Sequence, residues 1–416
     1  MKILILCELA SIHSARWINQ LKNTGWEIHI SQSASQFFGF NDELKFGIIH
    51  LPITYSVLTK LSIKEYSKID SNKKIILFVI LKFFAQILRL LPGRVKKIID
   101  NILFIQYLTK LIEGLKPDLI HSLGLNVNWI NRCLPVVKAK KRLKQKFNIP
   151  WIYSTWGSDL DYYAKMSPEH LEEVKSVLRE CDYLTTECQR DFRLATEMDF
   201  NGNYLGFFPD YGGVNLEEIT KYSSSKKTSH RKIILLKGRD SGDGGDPVGR
   251  AITAIKAFLL CKDILKGYKI VISQASSSVI NAVHDIVKYT NLEIEILKYI
   301  SYENLLQITG DSRIFIALTI NDGLPSALIE SMALGVFPIH SDLEPIREWI
   351  KNGENGFLVP AENPMAVAEA LTKALEDDEL VNNASLINKN LIKKYLSDDI
   401  IKARVIEMYE TIAKNK

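Results

Sequence analysis

The densest chemistry in the chain is LTINDGLPSALIESMALGVFPIHS, residues 318–341, which reads as strand, loop, helix and strand. Asp322, Gly323, Leu324 and Pro325 close the strand, and Pro325 suits a first helical turn, where its missing N–H costs nothing. The N–H groups of Ser326, Ala327 and Leu328 are then expected to point out of the helix start as an anion site. Eight residues separate Asp322 from Glu330, so one carboxylate stands on the loop and the other about one turn inside the helix. Two acids so placed can reach one ligand, one toward sugar hydroxyls and the other toward ribose hydroxyls.

The elements that must position them form an α/β series. Strands are expected at 2–7, 26–30, 118–121, 151–154, 183–186 and 204–208, with helical patterns between most of them. The first strand–loop–helix has no glycine between Glu8 and Ser14, which argues against a dinucleotide fingerprint. The polar stretch PDYGGVN (209–215) and the run KYSSSKKTSHRK (221–232) read as a break and linker. A second series follows: strands at 232–236, 269–273, 293–297, 314–318, 336–340 and 357–359, separated by helices such as 248–260, 278–289, 302–310 and 326–334. Two doubly wound halves suggest ligands at the carboxyl ends of the strands. The division expected is 1–213, a linker 214–231, 232–395, and a last helix within 396–416.

Composition narrows the classes. The 416 residues are 46% hydrophobic and 24% charged, as in a globular protein of two domains. A net charge of +5 is too small to argue for nucleic acid. Five scattered cysteines without CxxC spacing fit a reducing compartment better than disulfides or zinc. The start, MKILILC, is too short an apolar run for a signal peptide. Charge is unevenly spread, however. Residues 60–146 hold 19 Lys and Arg against 5 Asp and Glu, a local +14 that leaves −9 for the remainder. Within this region Ile75–Leu91 is apolar except for Lys82, Gln86 and Arg89, which share one helical face. Those charges argue against a spanning helix. An interfacial helix over about 73–97, facing anionic lipid, is the expectation, and a buried helix the alternative.

The 318–341 segment resembles the E-x7-E region of the retaining family-4 glycosyltransferases, with Asp322 in place of the first Glu. PIREWIKNGENGFLVPAENPMAVAEAL (345–371) resembles that family's next block. The resemblance implies a GT-B fold, two Rossmann-like domains facing across a cleft, with the last helix returning to the first domain. It implies a nucleotide-sugar donor bound by the second domain, Glu330 on the ribose, and Asp322 with Gly323, Leu324 and Pro325 positioning the donor sugar. No metal or other cofactor is implied. Charge on the leaving diphosphate would be met by Arg239, with Arg250 or Lys237, and by the Ser326–Leu328 amides. Tyr299 and Ile300, after Lys298, resemble the segment whose backbone reads the base.

In the first half, SIHSARW (11–17) resembles a Ser-x-His-x-x-Arg-Trp motif of one subgroup, which puts His13 and Arg16 at the acceptor. His121, in DLIHSL, stands where relatives carry a catalytic-region histidine, though Leu123 replaces their second one. STWGSD (154–159) has Trp156 where relatives have His; Ser158 and Asp159 fit hydrogen bonds to an acceptor sugar, and Trp156 a stack on its face. The implied activity is retaining, metal-independent transfer of a sugar to a glycan or lipid-linked acceptor during cell-surface polysaccharide synthesis (O-antigen, capsule or exopolysaccharide). Its expected place is the cytoplasmic face of the plasma membrane. The alternatives are a GT-B nucleotide-sugar 2-epimerase and a non-catalytic glycan- or lipid-binding partner.

Overall fold

Runs such as KILILC, IILLK, KIVIS and SRIFIA are apolar at nearly every position, the pattern of strands covered on both faces. In the computed structural model all four are interior strands of parallel sheets. The structure describes residues 1–52, 54–61, 79, 82, 85, 90–124, 126–127, 130–131, 133–144, 147–243, 247–288 and 290–414. Most of the expected interfacial helix, 73–89, lies outside the described residues, as does 244–246 of the Gly/Asp loop.

Contacts divide the chain into two units, residues 1–212 with 402–416, and residues 213–401. The first is built on β1 (Lys2–Cys7), β2 (Glu27–Gln32), β3 (Ile48–His50) and β4 (Leu119–Leu123). After a two-residue hairpin, β5 (Asn126–Val127) with β6 (Ile130–Asn131), come β7 (Trp151–Ser154), β8 (Tyr183–Thr186) and β9 (Asn203–Phe207). The sheet order is β3-β2-β1-β4-β7-β8-β9, and every pairing is parallel. One face packs on helices Gly93–Leu115, Leu134–Leu143 and Pro168–Glu180 through Phe104, Leu108, Val136, Trp151, Val174 and Leu178.

The second unit holds β10 (Ile233–Lys237), β11 (Lys269–Ser273), β12 (Glu293–Leu297), β13 (Ser312–Ala317), β14 (Phe337–Ser341) and β15 (Phe357–Val359). Their order, β12-β11-β10-β13-β14-β15, is the 3-2-1-4-5-6 arrangement of dinucleotide-binding sheets. The strand order reverses between β10 and β13, and in the first unit between β1 and β4. In each unit that switch point is where loops diverge from the carboxyl edge and leave room for a ligand.

The stretch 214–231 is not a free linker. It forms the turn Leu216–Ile219 and short 3-10 turns that pack on the second unit. Thr228 Oγ1 donates to Gly335 O at 2.8 Å, and the buried Arg231 guanidinium donates to Ser312 O and Leu334 O. Its Ser/Lys composition is that of a linker, but these hydrogen bonds give its polar side chains internal partners. The last helix, Asp398–Lys414, starts in the second unit, and from Lys402 its residues belong to the first.

Candidate active site

In the second unit three strand ends come together. β10 ends on Lys237, a half-buried cation with no hydrogen bond or ion pair to any described residue. Lys237 and Asp322 both act on His340 of β14, which sequence reading did not single out. Burial holds the His340 imidazole down to about 4, with Asp322 pulling upward and Lys237 pushing down, so it is neutral at pH 7. Nothing in the motif marks His340 except its place two residues before Asp342, at the end of an apolar strand.

The Asp322 loop is fixed from below. Thr319 N–H donates to Ser341 Oγ at 2.8 Å, and Thr319 Oγ1 donates to Asn321 O at 2.8 Å. Gly323, Leu324 and Pro325 are buried, and Gly323 N–H donates to Asp322 Oδ1 at 3.0 Å. Helix Ser326–Ala333 has Pro325 as its cap, so no side chain satisfies its first turn. The amides of Ser326 and Ala327 have no acceptor among the described residues. That of Leu328 does: it donates to Pro325 O at 3.1 Å, because the first turn is tight. The expected three-amide anion site therefore has two members. Glu330 accepts from the Tyr302 hydroxyl at 2.7 Å, which aims its carboxylate toward the loop after β12. On that loop Tyr299 is 88% exposed, and Ile300 is half-buried.

Arg239 and Arg250 part company. Arg239 is exposed, and its Nε donates to Gln274 Oε1 at 3.1 Å. Its backbone carbonyl accepts from Ala251 N–H at 3.2 Å across Gly249, where any Cβ would collide with that carbonyl. Arg250 is turned inward. Its Nε donates to Glu362 Oε1 at 2.7 Å, and its Nη1 to Pro247 O and Gly249 O. The reason is local: Asp240 caps helix Ala251–Leu260 through Ile252 N–H at 3.0 Å, fixing Arg250 at the cap position. Lys237 and Arg239 are thus the cations presented at the strand ends, while Arg250 braces the loop.

The first unit arranges its expected residues differently. His13 lies at the start of helix Ile12–Asn19, whose cap is Ser11, and its Nδ1 is 3.3 Å from Asp210 Oδ2. The His13 ring sits 5.9 Å from the Trp156 ring. Trp156 in turn covers Gly124, whose φ of +68° and lack of Cβ make room for the indole. Arg16 is half-buried on the same helix, and Ser158 is half-buried beside Trp156. One buried carboxylate ties these loops: Glu187 accepts from Gly157 N–H at 2.8 Å and from Asp210 N–H at 3.2 Å. Beneath it, buried Arg190 donates to Asp191 and to Gly157 O, and burial pushes the Asp191 carboxyl up to about 6 against the pull of Arg190. Asp210 and Glu187 carry no motif; only the break at PDYGGVN hints at the first.

Two residues expected at the site are held in internal hydrogen bonds. Asp159 is buried, and its Oδ2 accepts from the Tyr153 hydroxyl and from Trp156 N–H, both at 2.9 Å. It closes the turn that carries Trp156. His121 is fully buried between Tyr409 of the last helix (Nδ1 to hydroxyl, 2.6 Å) and Ser154 (Nε2 to hydroxyl, 2.7 Å). Burial lowers its pKa to about 3, so it is neutral. Trp17 Nε1 donates to the same Tyr409 hydroxyl at 3.1 Å, so Trp17, Tyr409 and His121 form one buried hydrogen-bonded group.

Residues 253–391 match the family model "Glycosyl transferases group 1". The matched residues lie within the second unit. The chain is 33% identical over 86 residues to a phosphatidyl-myo-inositol mannosyltransferase of Mycobacterium leprae, covering 21% of this chain and 23% of that protein. It is 27% identical over 114 residues to the N,N'-diacetylbacillosaminyl-diphospho-undecaprenol alpha-1,3-N-acetylgalactosaminyltransferase of Campylobacter jejuni, 27% of this chain and 30% of that one. The chain therefore spans about a quarter of the length of the curated relatives it matches. Similarity in fold extends further. Sucrose-phosphate synthase from Thermosynechococcus elongatus superposes with a TM-score of 0.67 at 14% identity, over 100% of both chains. HepE of Anabaena in complex with UDP and glucose gives 0.64 at 12%, over 99% of this chain and 100% of that one. The fold is GT-B, and the family-4 resemblance of 318–341 stands.

Proposed function

We propose that the protein is a retaining glycosyltransferase that moves a sugar from a nucleotide-sugar donor to a glycan or lipid-linked acceptor in cell-surface polysaccharide assembly. One observation carries the reading: the unpaired ammonium of Lys237, the Asp322 carboxylate and the unsatisfied amides of Ser326 and Ala327 share the switch point of the group 1 domain. A donor diphosphate is met there by Lys237, Arg239 and those amides, which stabilise charge as the sugar–phosphate bond breaks. Asp322 takes hydroxyls of the donor sugar. Glu330 takes the ribose, the ligand hydroxyl replacing or joining that of Tyr302. The backbone around Tyr299 and Ile300 borders the base. No metal is required, because protein cations and amides neutralise the leaving group. The acceptor hydroxyl attacks on the face the diphosphate leaves, and a phosphate oxygen takes its proton.

The first unit takes the acceptor, with Trp156 stacking on a pyranose and His13, held by Asp210, donating to or accepting from its hydroxyls. A lipid-linked acceptor is supported by the Campylobacter jejuni relative, whose name specifies a diphospho-undecaprenol substrate. The cationic 60–146 region supports peripheral contact with the anionic inner face of the plasma membrane. Among the described residues no helix is long and apolar enough to cross a membrane.

Titration calorimetry with a panel of nucleotide sugars tests the donor site. Glu330→Ala is expected to weaken the best donor at least about tenfold, the loss of one charged hydrogen-bond partner. Unchanged donor affinity and turnover in that variant would sink the assignment. Incubating donor without acceptor separates the epimerase alternative, which alone yields an epimer.

A further inference from the structure

Apart from the strand ends described above, the first unit contains a cavity of about 370 Å³ with three lysines in its wall. Lys60 closes helix Tyr55–Lys60, and Lys96 and Lys97 lie in the first turns of helix Gly93–Leu115; all three line the cavity, with Tyr55 and Gly93. Lys60 and Lys97 make no ion pair with any described residue. Lys60 and Lys96 are splayed over aromatic rings, Lys60 Nζ 4.8 Å from the Phe38 centroid and Lys96 Nζ 5.4 Å from that of Tyr55. For Lys60 the ring face attracts the ammonium without bringing a counter-charge.

The single acid in the lining, Asp100, is already used. Its Oδ1 accepts from Tyr55 N–H at 2.6 Å and its Oδ2 from Ser56 N–H at 3.2 Å. It is buried, and burial raises its pKa while the Tyr55 and Ser56 N–H groups pull it down. The long helix adds its positive end. Its cap is Pro92, which offers no side-chain acceptor, and Gly93, at the first helical position, lines the cavity. On the same helix Val95, Ile98 and Ile102 are exposed along one face, which lies opposite the face of Gly93, Lys96, Lys97 and Asp100 that lines the cavity.

We infer that the cavity lined by Lys60, Lys96 and Lys97 is a binding site for a phosphate or diphosphate ester, separate from the donor diphosphate site of the second unit. This deepens the transferase reading by giving the acceptor a charged anchor; the anion site itself does not depend on that reading.

Inorganic pyrophosphate titrated into the full-length protein by calorimetry tests the site. Two binding events are expected, one weakened at least about tenfold by Lys60→Ala/Lys96→Ala/Lys97→Ala and the other by Lys237→Ala/Arg239→Ala. Raising salt weakens both, since exposed charges are screened. Should the triple variant fail to fold, the single Lys97→Glu, at an exposed position, is expected to weaken the same event. Pyrophosphate affinities identical in the wild type and the lysine variants overturn the proposal. Loss of neither event in Lys237→Ala/Arg239→Ala instead breaks the donor assignment alone. Phosphatidylcholine vesicles with and without a polyprenyl diphosphate separate the sources. Sedimentation that needs the diphosphate and is lost in the lysine variants assigns the site to a lipid ester. Pyrophosphate binding without such sedimentation assigns it to a soluble one.

Discussion

The two sheets lay out their first four strands identically, 3-2-1-4, yet their carboxyl edges treat polar side chains in opposite ways. In the second unit the Lys237 side chain ends β10 without a hydrogen bond to any described residue, and the amides of Ser326 and Ala327 are left unsatisfied at a helix start. In the first unit His121 near the end of β4, Asp159 after β7 and Asp191 below them are closed into internal hydrogen bonds. Both edges sit at a topological switch point, so position alone does not make a residue functional. What separates them is whether the polar group has already spent its hydrogen-bonding capacity inside the fold. A buried group with all its partners stabilises; one held in place without partners is available to a ligand.

The sharpest way to break this contrast is to remove the unpaired cation. Lys237→Ala should lower kcat/KM by about 10²–10³, the cost of losing one preorganised charge on a leaving group. It should leave the melting temperature nearly unchanged, because the side chain makes no hydrogen bond or ion pair to a described residue. Steady-state kinetics and a thermal melt on the same preparation check both halves. A large fall in melting temperature with little change in turnover would erase the distinction between the two edges.

Sequence signals anticipate the second unit's elements better than they anticipate the surroundings of the first unit's expected residues. Runs like IILLK and SRIFIA declare buried parallel strands, and Pro325 with Ser326 declares a helix start, because these signals are local. The role of Arg250 was not local: it depends on Glu362, 112 residues away, and on Asp240 capping the helix. His121 is expected at the site because it stands where relatives carry a histidine. Its partner Tyr409 lies 288 residues on, in a helix that no periodicity links to β4. His340 was invisible for the converse reason, being one polar residue inside an apolar strand whose neighbours Lys237 and Asp322 arrive from other strands. The run 214–231 has a linker's composition, and only the carbonyls it meets in Ser312, Leu334 and Gly335 reveal that it is packed.

A second prediction uses the buried histidines of the two units. His121, held near 3, and His340, held near 4, are neutral in the fold, whereas an unfolded chain protonates histidine near 6.5. Below about pH 6.5 the unfolded state therefore takes up protons that the folded state refuses. Stability falls on acidification and is recovered as pH rises through the unfolded value. Each histidine should cost about 2 kcal/mol between pH 7 and pH 5. His121→Gln should remove that share of the acid sensitivity while keeping turnover per folded molecule at pH 7 within a few-fold. Urea unfolding at the two pH values measures the first, and active-site-normalised kinetics the second. An acid limb unchanged in His121→Gln would mean that this imidazole is protonated in the fold. A collapse of turnover would return it to the site.

The smallest effect tests the boundary within the second unit itself. Arg250 and Arg239 are both guanidinium groups beside the same loop, but Arg250 is paired with Glu362 and hydrogen-bonded to two carbonyls, whereas Arg239 is exposed. Glu362 is largely solvent-facing, so the pair itself contributes no more than about 1 kcal/mol. Arg250→Gln keeps a donor for the loop carbonyls and should lower stability by less than that, with donor affinity changed at most about three-fold. Arg239→Gln should do the reverse, leaving stability alone and weakening the donor more than Arg250→Gln does. Calorimetric donor titration and a thermal melt on the two variants decide the order. If Arg250→Gln proves the more damaging to donor binding, then the ion pair with Glu362 opens when the donor arrives, and pairing in the unliganded fold is no guide to which cation grips the diphosphate.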